Sequence, residues 1–304
     1  MSRRVVAIFL LAGALRTALG QGQLLKEVVV SSHFVEENRA VRVYLPPSYR
    51  TNSTRRYPVL YLNDGQNMFS SAGAEVAFGW GNWGLDKTVD ELVRTKKMAE
   101  IILVAVDDSR TRYVEYNGRV GSTNGVTPFE NYAAFLTEEL KPWIDRNYRT
   151  KPEAAHTGVM GSSLGGICSV ALAWEHPEVF GQAACLSGAF EVDQTNFLKH
   201  VLGDYRGKPK PFRLYLDSGT MDFTGGDDNN ALTQRVYKEL RRIGWRRRDL
   251  RHFTDDHPLT LAELGKSGIR HDKWSEAQTS QHNELYWRLR AWQALTFLFP
   301  PEEK

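Results

Sequence analysis

The chain has 304 residues, 41% hydrophobic, 25% charged and 11% aromatic, with a formal net charge of +3. That is the balance of an ordinary globular protein, long enough to bury one substantial core. Its two cysteines, Cys168 and Cys185, lie in apolar segments and offer no zinc spacing. They read as buried free thiols, although an exported chain could join them in a disulfide.

The first residues have the form of a leader. Met1-Ser2-Arg3-Arg4 is positive, Val5 to Leu15 is apolar but short for a membrane span, and Ala18-Leu19-Gly20 supplies small residues for cleavage before Gln21. The expectation is a signal peptide over 1–20 and a single domain over 21–304. The mature chain would be secreted or periplasmic, with no stable membrane insertion.

Two strands are expected first, Glu27 to Phe34 and Arg39 to Leu45, the latter ended by Pro46-Pro47. Pro58 to Asn63 and Ile101 to Val106 are short, nearly continuous apolar runs, as suits strands buried on both faces. Helical spacing marks Leu85 to Lys97 and Phe129 to Asn147. Further strands are expected at Ala154 to Met160, Gln182 to Leu186, Phe212 to Leu216 and Asp249 to Phe253. Helices follow the first of these through Trp174, then fill Asn230 to Ile243 and Asn283 to Phe299. The alternation implies an α/β protein with a mostly parallel central sheet and helices on both faces. Three long loops, Phe69 to Gly84, Ser109 to Pro128 and Asp256 to Gln281, exceed ordinary connections and are candidates to shape a site. The basic run Arg241 to Arg248 reads first as a solvated helix end and the turn after it, since no nucleic-acid-binding motif accompanies it, with a nucleic-acid or polyanion patch the alternative.

Gly161-Ser162-Ser163-Leu164-Gly165 is a G-x-S-x-G pattern between an apolar strand and an apolar helix. In that setting a sharp turn projects the Ser163 hydroxyl from the sheet edge and aims backbone N–H groups at an incoming carbonyl oxygen. A serine hydroxyl needs a base, and the base an acid, in the chain order Ser, Asp or Glu, His. Of eight histidines, His282 stands just before the last helix and is the expected base, with His257 the alternative. Candidates for the acid after the strand Phe212 to Leu216 are Asp217, Asp222, Asp227 and Asp228. Asp222 is preferred for its reach, with Asp227 or Asp228 second. The Leu164 amide and one from the Asn63-Asp64-Gly65-Gln66 loop, Gln66 before Gly65, would form an oxyanion hole. No metal or organic cofactor is called for.

With those pieces placed, the sequence resembles the esterase family of α/β-hydrolases that includes esterase D, enterochelin esterases and feruloyl or acetylxylan esterases. The resemblance runs from about Val28 to Phe299 and rests on VRVYLPPSY (41–49), YPVLYLNDGQNMF (57–69), GSSLGG, SGTMDF (218–223) and HNELYWRLR (282–290). It implies the α/β-hydrolase fold and serine ester hydrolysis, with Ser163, Asp222 and His282 as triad and Gln66 at the oxyanion loop. Arg112-Tyr113-Val114-Glu115-Tyr116 looks like the family's R-x-x-E-Y segment, which would bring Arg112 and Glu115 to the pocket or hold its loop. Trp80, Trp83 and Tyr113 on the expected rim suggest stacking of an aromatic or sugar group, hence feruloyl or acetyl esters of polysaccharide. A siderophore esterase, an acyltransferase and a non-catalytic binding relative are the rivals; oligomeric state is not readable.

Overall fold

A computed structural model describes residues 20–120 and 126–302. The expected leader therefore lies outside the described residues. Nine strands form one sheet: β1 (Gln23–Leu24), β2 (Val28–Val30), β3 (Arg39–Leu45), β4 (Val59–Asn63), β5 (Ile102–Val106), β6 (Thr157–Ser162), β7 (Gln182–Leu186), β8 (Arg213–Ser218) and β9 (Leu250–Thr254). Their order is β1-β3-β5-β4-β6-β7-β8-β9, with β2 also on β3. From β4 to β9 all neighbours pair in parallel, while β3 runs antiparallel to β5.

Alternation along the strands divides the core in two. Val59 and Tyr61 of β4 face one layer, Leu60 and Leu62 the other. The first layer includes α2 (Pro128–Ala134), α3 (Lys141–Asn147), α4 (Ser163–Glu175) and α5 (Asn230–Ile243). The second is covered by α1 (Leu85–Arg94) and α6 (Glu284–Leu298). Helix α1 buries Leu85, Val89 and Leu92 on one stripe. Helix α4 is apolar nearly all round and is buried from Gly165 to Trp174.

The expected helix from Phe129 to Asn147 is present but not uniform: a π-helical segment, Phe135–Leu140, joins α2 to α3. Pro142, in the first turn of α3, lacks the N–H that would continue the α-helical ladder. Of the stretch Glu27 to Phe34 only Val28–Val30 pairs as strand. The long segment 256–281 is not a bare loop. It carries short helices at Leu261–Lys266 and Trp274–Ala277, which pack with Trp80, Leu285 and Tyr286 in a small separate cluster. Cys168 and Cys185 are free and buried, and burial pushes both thiols well above their ordinary pKa. Among the described residues no helix is long and apolar enough to cross a membrane.

Candidate active site

The parallel strands end together, and the chemistry-bearing groups follow their C-terminal ends. Strand β6 turns into α4 at Ser163, whose φ of +53° lies in the left-handed region. A non-glycine residue there is strained, and the sharp strand-to-helix turn holds the Ser163 side chain out from the sheet edge. The flanking glycines are steric requirements. A Cβ on Gly161 would sit 2.6 Å from the Gly165 backbone, and one on Gly165 would sit 2.8 Å from an Asp64 carboxylate oxygen.

Ser163 Oγ lies 3.0 Å from His282 Nε2, and His282 Nδ1 lies 2.6 Å from Asp228 Oδ1. Since Nδ1 faces a carboxylate it carries the proton, which leaves Nε2 free to accept the serine proton. The His282 ring is walled by Trp287, edge to face at 5.1 Å between centroids. His257, the alternative base, is exposed and pairs with Asp256.

The carboxylate against His282 is Asp228 and not the preferred Asp222. After β8 the chain makes a surface turn in which Gly225 N–H donates to the Asp222 carbonyl and Asp222 N–H to the Gly226 carbonyl. The half-buried Asp222 carboxylate stays in that turn, Oδ2 accepting from the Thr224 hydroxyl at 3.0 Å and Oδ1 shielded, with no partner among the described residues. The chain then comes back, and Asp228 and Asn229, both at positive φ, lead into α5. Asp and Asn tolerate that conformation better than bulkier residues. Asp228 is thereby buried, with Oδ2 accepting from the Gly219 N–H and, at 2.7 Å, from the Ser187 hydroxyl.

Sequence reasoning missed the group behind Asp228. Ser187, at φ +45° and fully buried after β7, also accepts from Trp287 Nε1 at 2.9 Å and Arg290 Nη2 at 2.7 Å. Arg290 further faces Asp217 at 3.2 Å, Asp228 at 3.7 Å and Asp255 at 3.7 Å. One buried guanidinium thus balances a set of carboxylates around the acid. Burial pushes the Asp217 carboxyl up to about 6, against the pull of Arg290. The signal was present in Trp287 and Arg290, one helical turn apart on the helix that follows His282, but a lone arginine among apolar neighbours gives no hint of its partners.

The Leu164 amide lies in the first turn of α4, where helical N–H groups have no intrahelical acceptor. Gln66 lies in a 3-10 turn, Gly65–Asn67, directly after β4, whose neighbour is β6. Its side-chain Oε1 accepts from the Asp108 N–H at 3.2 Å, which fixes the loop. The close approach of Asp64 to Gly165 puts this loop beside the nucleophile turn. Both expected amides therefore come to the same edge.

Arg112 and Glu115 do not pair with one another. Arg112 forks onto Asp64 at 2.5 and 2.9 Å, and Glu115 is buried against Arg39 at 2.6 Å and the hydroxyls of Ser109 and Thr111. Glu115 is thus a scaffold group. Trp80 and Trp83 are also not rim residues: they are 7% and 1% exposed, Trp83 packing 5.9 Å from Trp287. The exposed aromatics on the segments after β4, β5 and β8 are instead Phe78 and Tyr113, each in a short helix, and Phe223.

Glu284, at the start of α6, is a further acid near His282. Burial pushes its carboxyl up to about 7, its own backbone N–H, His282 and Arg112 pulling down and Asp64 pushing up. A folded-state value above the ordinary 4.5 makes ionisation a cost that grows from about pH 4.5 and is complete above pH 7. Glu284→Gln is expected to stabilise the protein by about 1–3 kcal/mol at pH 8 and not at pH 4. Urea unfolding at both pH values checks this; an equal effect at both would show that charge is not the cause.

A mostly parallel sheet with helices on both faces and a serine at the strand-to-helix turn after β6 is the α/β-hydrolase fold. Residues 32–294 match the family described as "Putative esterase", and the chain belongs to that esterase family, which makes it a carboxylic ester hydrolase. An endo-1,4-beta-xylanase/feruloyl esterase of Xylanibacter ruminicola is 29% identical over 244 residues, 77% of this chain but 31% of that relative. Among solved structures, a ferulic acid esterase superposes with a TM-score of 0.65 at 19% identity, covering 92% of this chain and 98% of its own. The enterobactin esterase from Shigella flexneri superposes with a TM-score of 0.65 at 18% identity, covering 90% and 58%.

Proposed function

We propose that the chain hydrolyses carboxylic esters through Ser163, His282 and Asp228, and that its substrates carry an aromatic acyl group such as a feruloyl ester of a polysaccharide. The observation that carries the mechanism is the run of hydrogen bonds from Ser163 Oγ through His282 to Asp228. Ser163 Oγ attacks the carbonyl carbon while Nε2 takes its proton, and Asp228 stabilises the resulting imidazolium. The Leu164 and Gln66 amides receive the charge on the carbonyl oxygen. His282 then returns the proton to the departing alkoxide, and water, deprotonated by the same nitrogen, releases the acid and restores Ser163. Asp64 holds Arg112 beside this edge, so Arg112 is a candidate substrate contact.

The acyl preference is supported by three exposed aromatics, Phe78 (95%), Tyr113 (60%) and Phe223 (66%), on segments that leave the same sheet edge as Ser163. It is also supported by the likeness to the xylanase/feruloyl esterase. The proposed working form is exported as a single catalytic unit over 21–304 after removal of 1–20.

A fluorophosphonate probe is expected to label the wild type on the peptide containing Ser163 and to leave Ser163→Ala unlabelled. Absence of labelling favours a binding protein, and equal labelling of both rejects Ser163 as the nucleophile and points to another residue. Turnover of methyl ferulate, p-nitrophenyl acetate, acetylated xylan and a catecholate triester tests the substrate; preference for the triester would reject the feruloyl reading for a siderophore esterase.

A further inference from the structure

At the opposite edge of the sheet from Ser163 the charge is strongly one-sided. A cavity of about 500 Å³ between α5 and the π-helical segment Phe197–Leu202 is lined by Lys199, Arg206, Arg235, Lys238 and Arg242 against one carboxylate, Glu239. A neighbouring cavity of about 390 Å³ adds Lys210, Arg213, Arg246 and Arg248 against Asp249. The second also touches Ala155, Gly181 and Phe212, which stand just before β6, β7 and β8. The second cavity is therefore at the N-terminal ends of the strands, whereas the proposed triad follows their C-terminal ends; the first lies next to it along the chain, Arg206 and Arg242 of its lining shortly preceding Pro209 and Gly244 of the second.

Nine cations against two carboxylates exceed the net +3 of the whole chain, so the rest of the protein is acidic on balance. Two of the cations pair with these carboxylates, Arg242 with Glu239 at 2.6 Å and Arg248 with Asp249 at 3.2 Å, and the other seven have no ion-pair partner among the described residues. Arg206 donates to the backbone carbonyls of Gly203 and Tyr205, and Lys199 to that of Gln194. Arg242 shares Glu239 with a backbone carbonyl, that of Leu202. Carbonyls orient these groups without cancelling their charge. Like charges gathered in a concave surface repel one another and raise the local concentration of anions.

We infer that these adjoining cavities bind an acidic polysaccharide bearing carboxylate groups, and so hold the protein on such a polymer with Ser163 facing away from it. Planar guanidinium forks match carboxylates in geometry as well as charge. The aromatic residues bordering the cavities, Phe212 and Trp245, are 4% and 2% exposed and offer no face on which nucleobases could stack. Because the edge faces away from the proposed triad, this inference stands apart from the esterase mechanism: the polymer held is not the ester cut.

The test measures binding of fluorescent polygalacturonate oligomers at 50 and 200 mM salt, with neutral xylan and duplex DNA as comparison ligands. Wild type is expected to bind polygalacturonate, more weakly at high salt, and not xylan. Arg235→Gln/Lys238→Gln/Arg246→Gln, three exposed positions, is expected to weaken binding about tenfold or more while turnover of p-nitrophenyl acetate and the thermal midpoint stay unchanged. Each single variant should show a smaller loss in the same direction. Unchanged binding by the triple variant, or no binding by wild type, overturns the inference. So does DNA binding as tight as polygalacturonate, which would assign the surface to nucleic acid.

Discussion

Asp228→Asn is expected to lower kcat by about ten-thousand-fold, while Asp222→Asn leaves it within about twofold. An asparagine at 228 keeps the volume and can still accept the Ser187 and Gly219 donors through its carbonyl. What it lacks is a second acceptor for His282 Nδ1–H, now 2.6 Å from Asp228 Oδ1. Facing an NH2 group, the ring is driven to the tautomer with its proton on Nε2, where it cannot take one from Ser163. Nor is any negative charge left to stabilise the imidazolium. Asp222, by contrast, contacts Thr224 on a surface turn and loses one exposed hydrogen bond at most. Initial rates on a soluble ester, with a thermal midpoint to show that both variants fold, decide the matter. Large loss at 222 with little at 228 would reject the assignment.

The distance between those two candidates shows what a sequence can carry. The strand runs Pro58 to Asn63, Ile101 to Val106 and Gln182 to Leu186 were legible because both faces of a parallel strand are buried, which leaves continuous apolar runs. The place of Ser163 at a strand-to-helix turn was legible because that turn tolerates only small neighbours at fixed spacing, and the place of His282 because it opens the final helix. The carboxylate that meets His282 was not, because nothing in SGTMDFTGGDD says how far out the chain swings before returning. That path depends on Gly225 and on two successive residues at positive φ, and on donors from Ser187 and Gly219 that come from elsewhere in the fold. The tryptophans failed for a related reason. Trp80 and Trp83 sit in a loop, but segment 256–281 and α6 cover them, so loop membership did not mean exposure.

Arg290→Met is expected to destabilise the protein by about 3–5 kcal/mol, a fall of order 10 °C in Tm for a chain of this size, and to do so more at pH 8 than at pH 5. Removing one partner of a buried ion cluster leaves the other charges without compensation, which costs more than the cluster contributed. Here the stranded charges are Asp217 and Asp228, neither of them exposed to water, with Asp255 beside them. The pH dependence follows from Asp217. Its carboxyl is already up at about 6 with Arg290 present, against an ordinary 3.8, and loss of the guanidinium moves it higher. A group raised in the folded state destabilises most where it must be ionised, above its folded value, and is relieved as pH falls through that value. At pH 5 Asp217 takes a proton and part of the deficit disappears. Arg290→Met/Asp217→Asn should recover much of the loss at pH 8, since the stranded carboxylate is gone. A deficit equal at both pH values, and unrelieved in the double variant, would mean that Arg290 matters for its packing in α6 and not for its charge. Because Arg290 also holds Ser187 against Asp228, the rescued double variant should still turn over slowly, separating the stabilising role of the guanidinium from its part in orienting the acid.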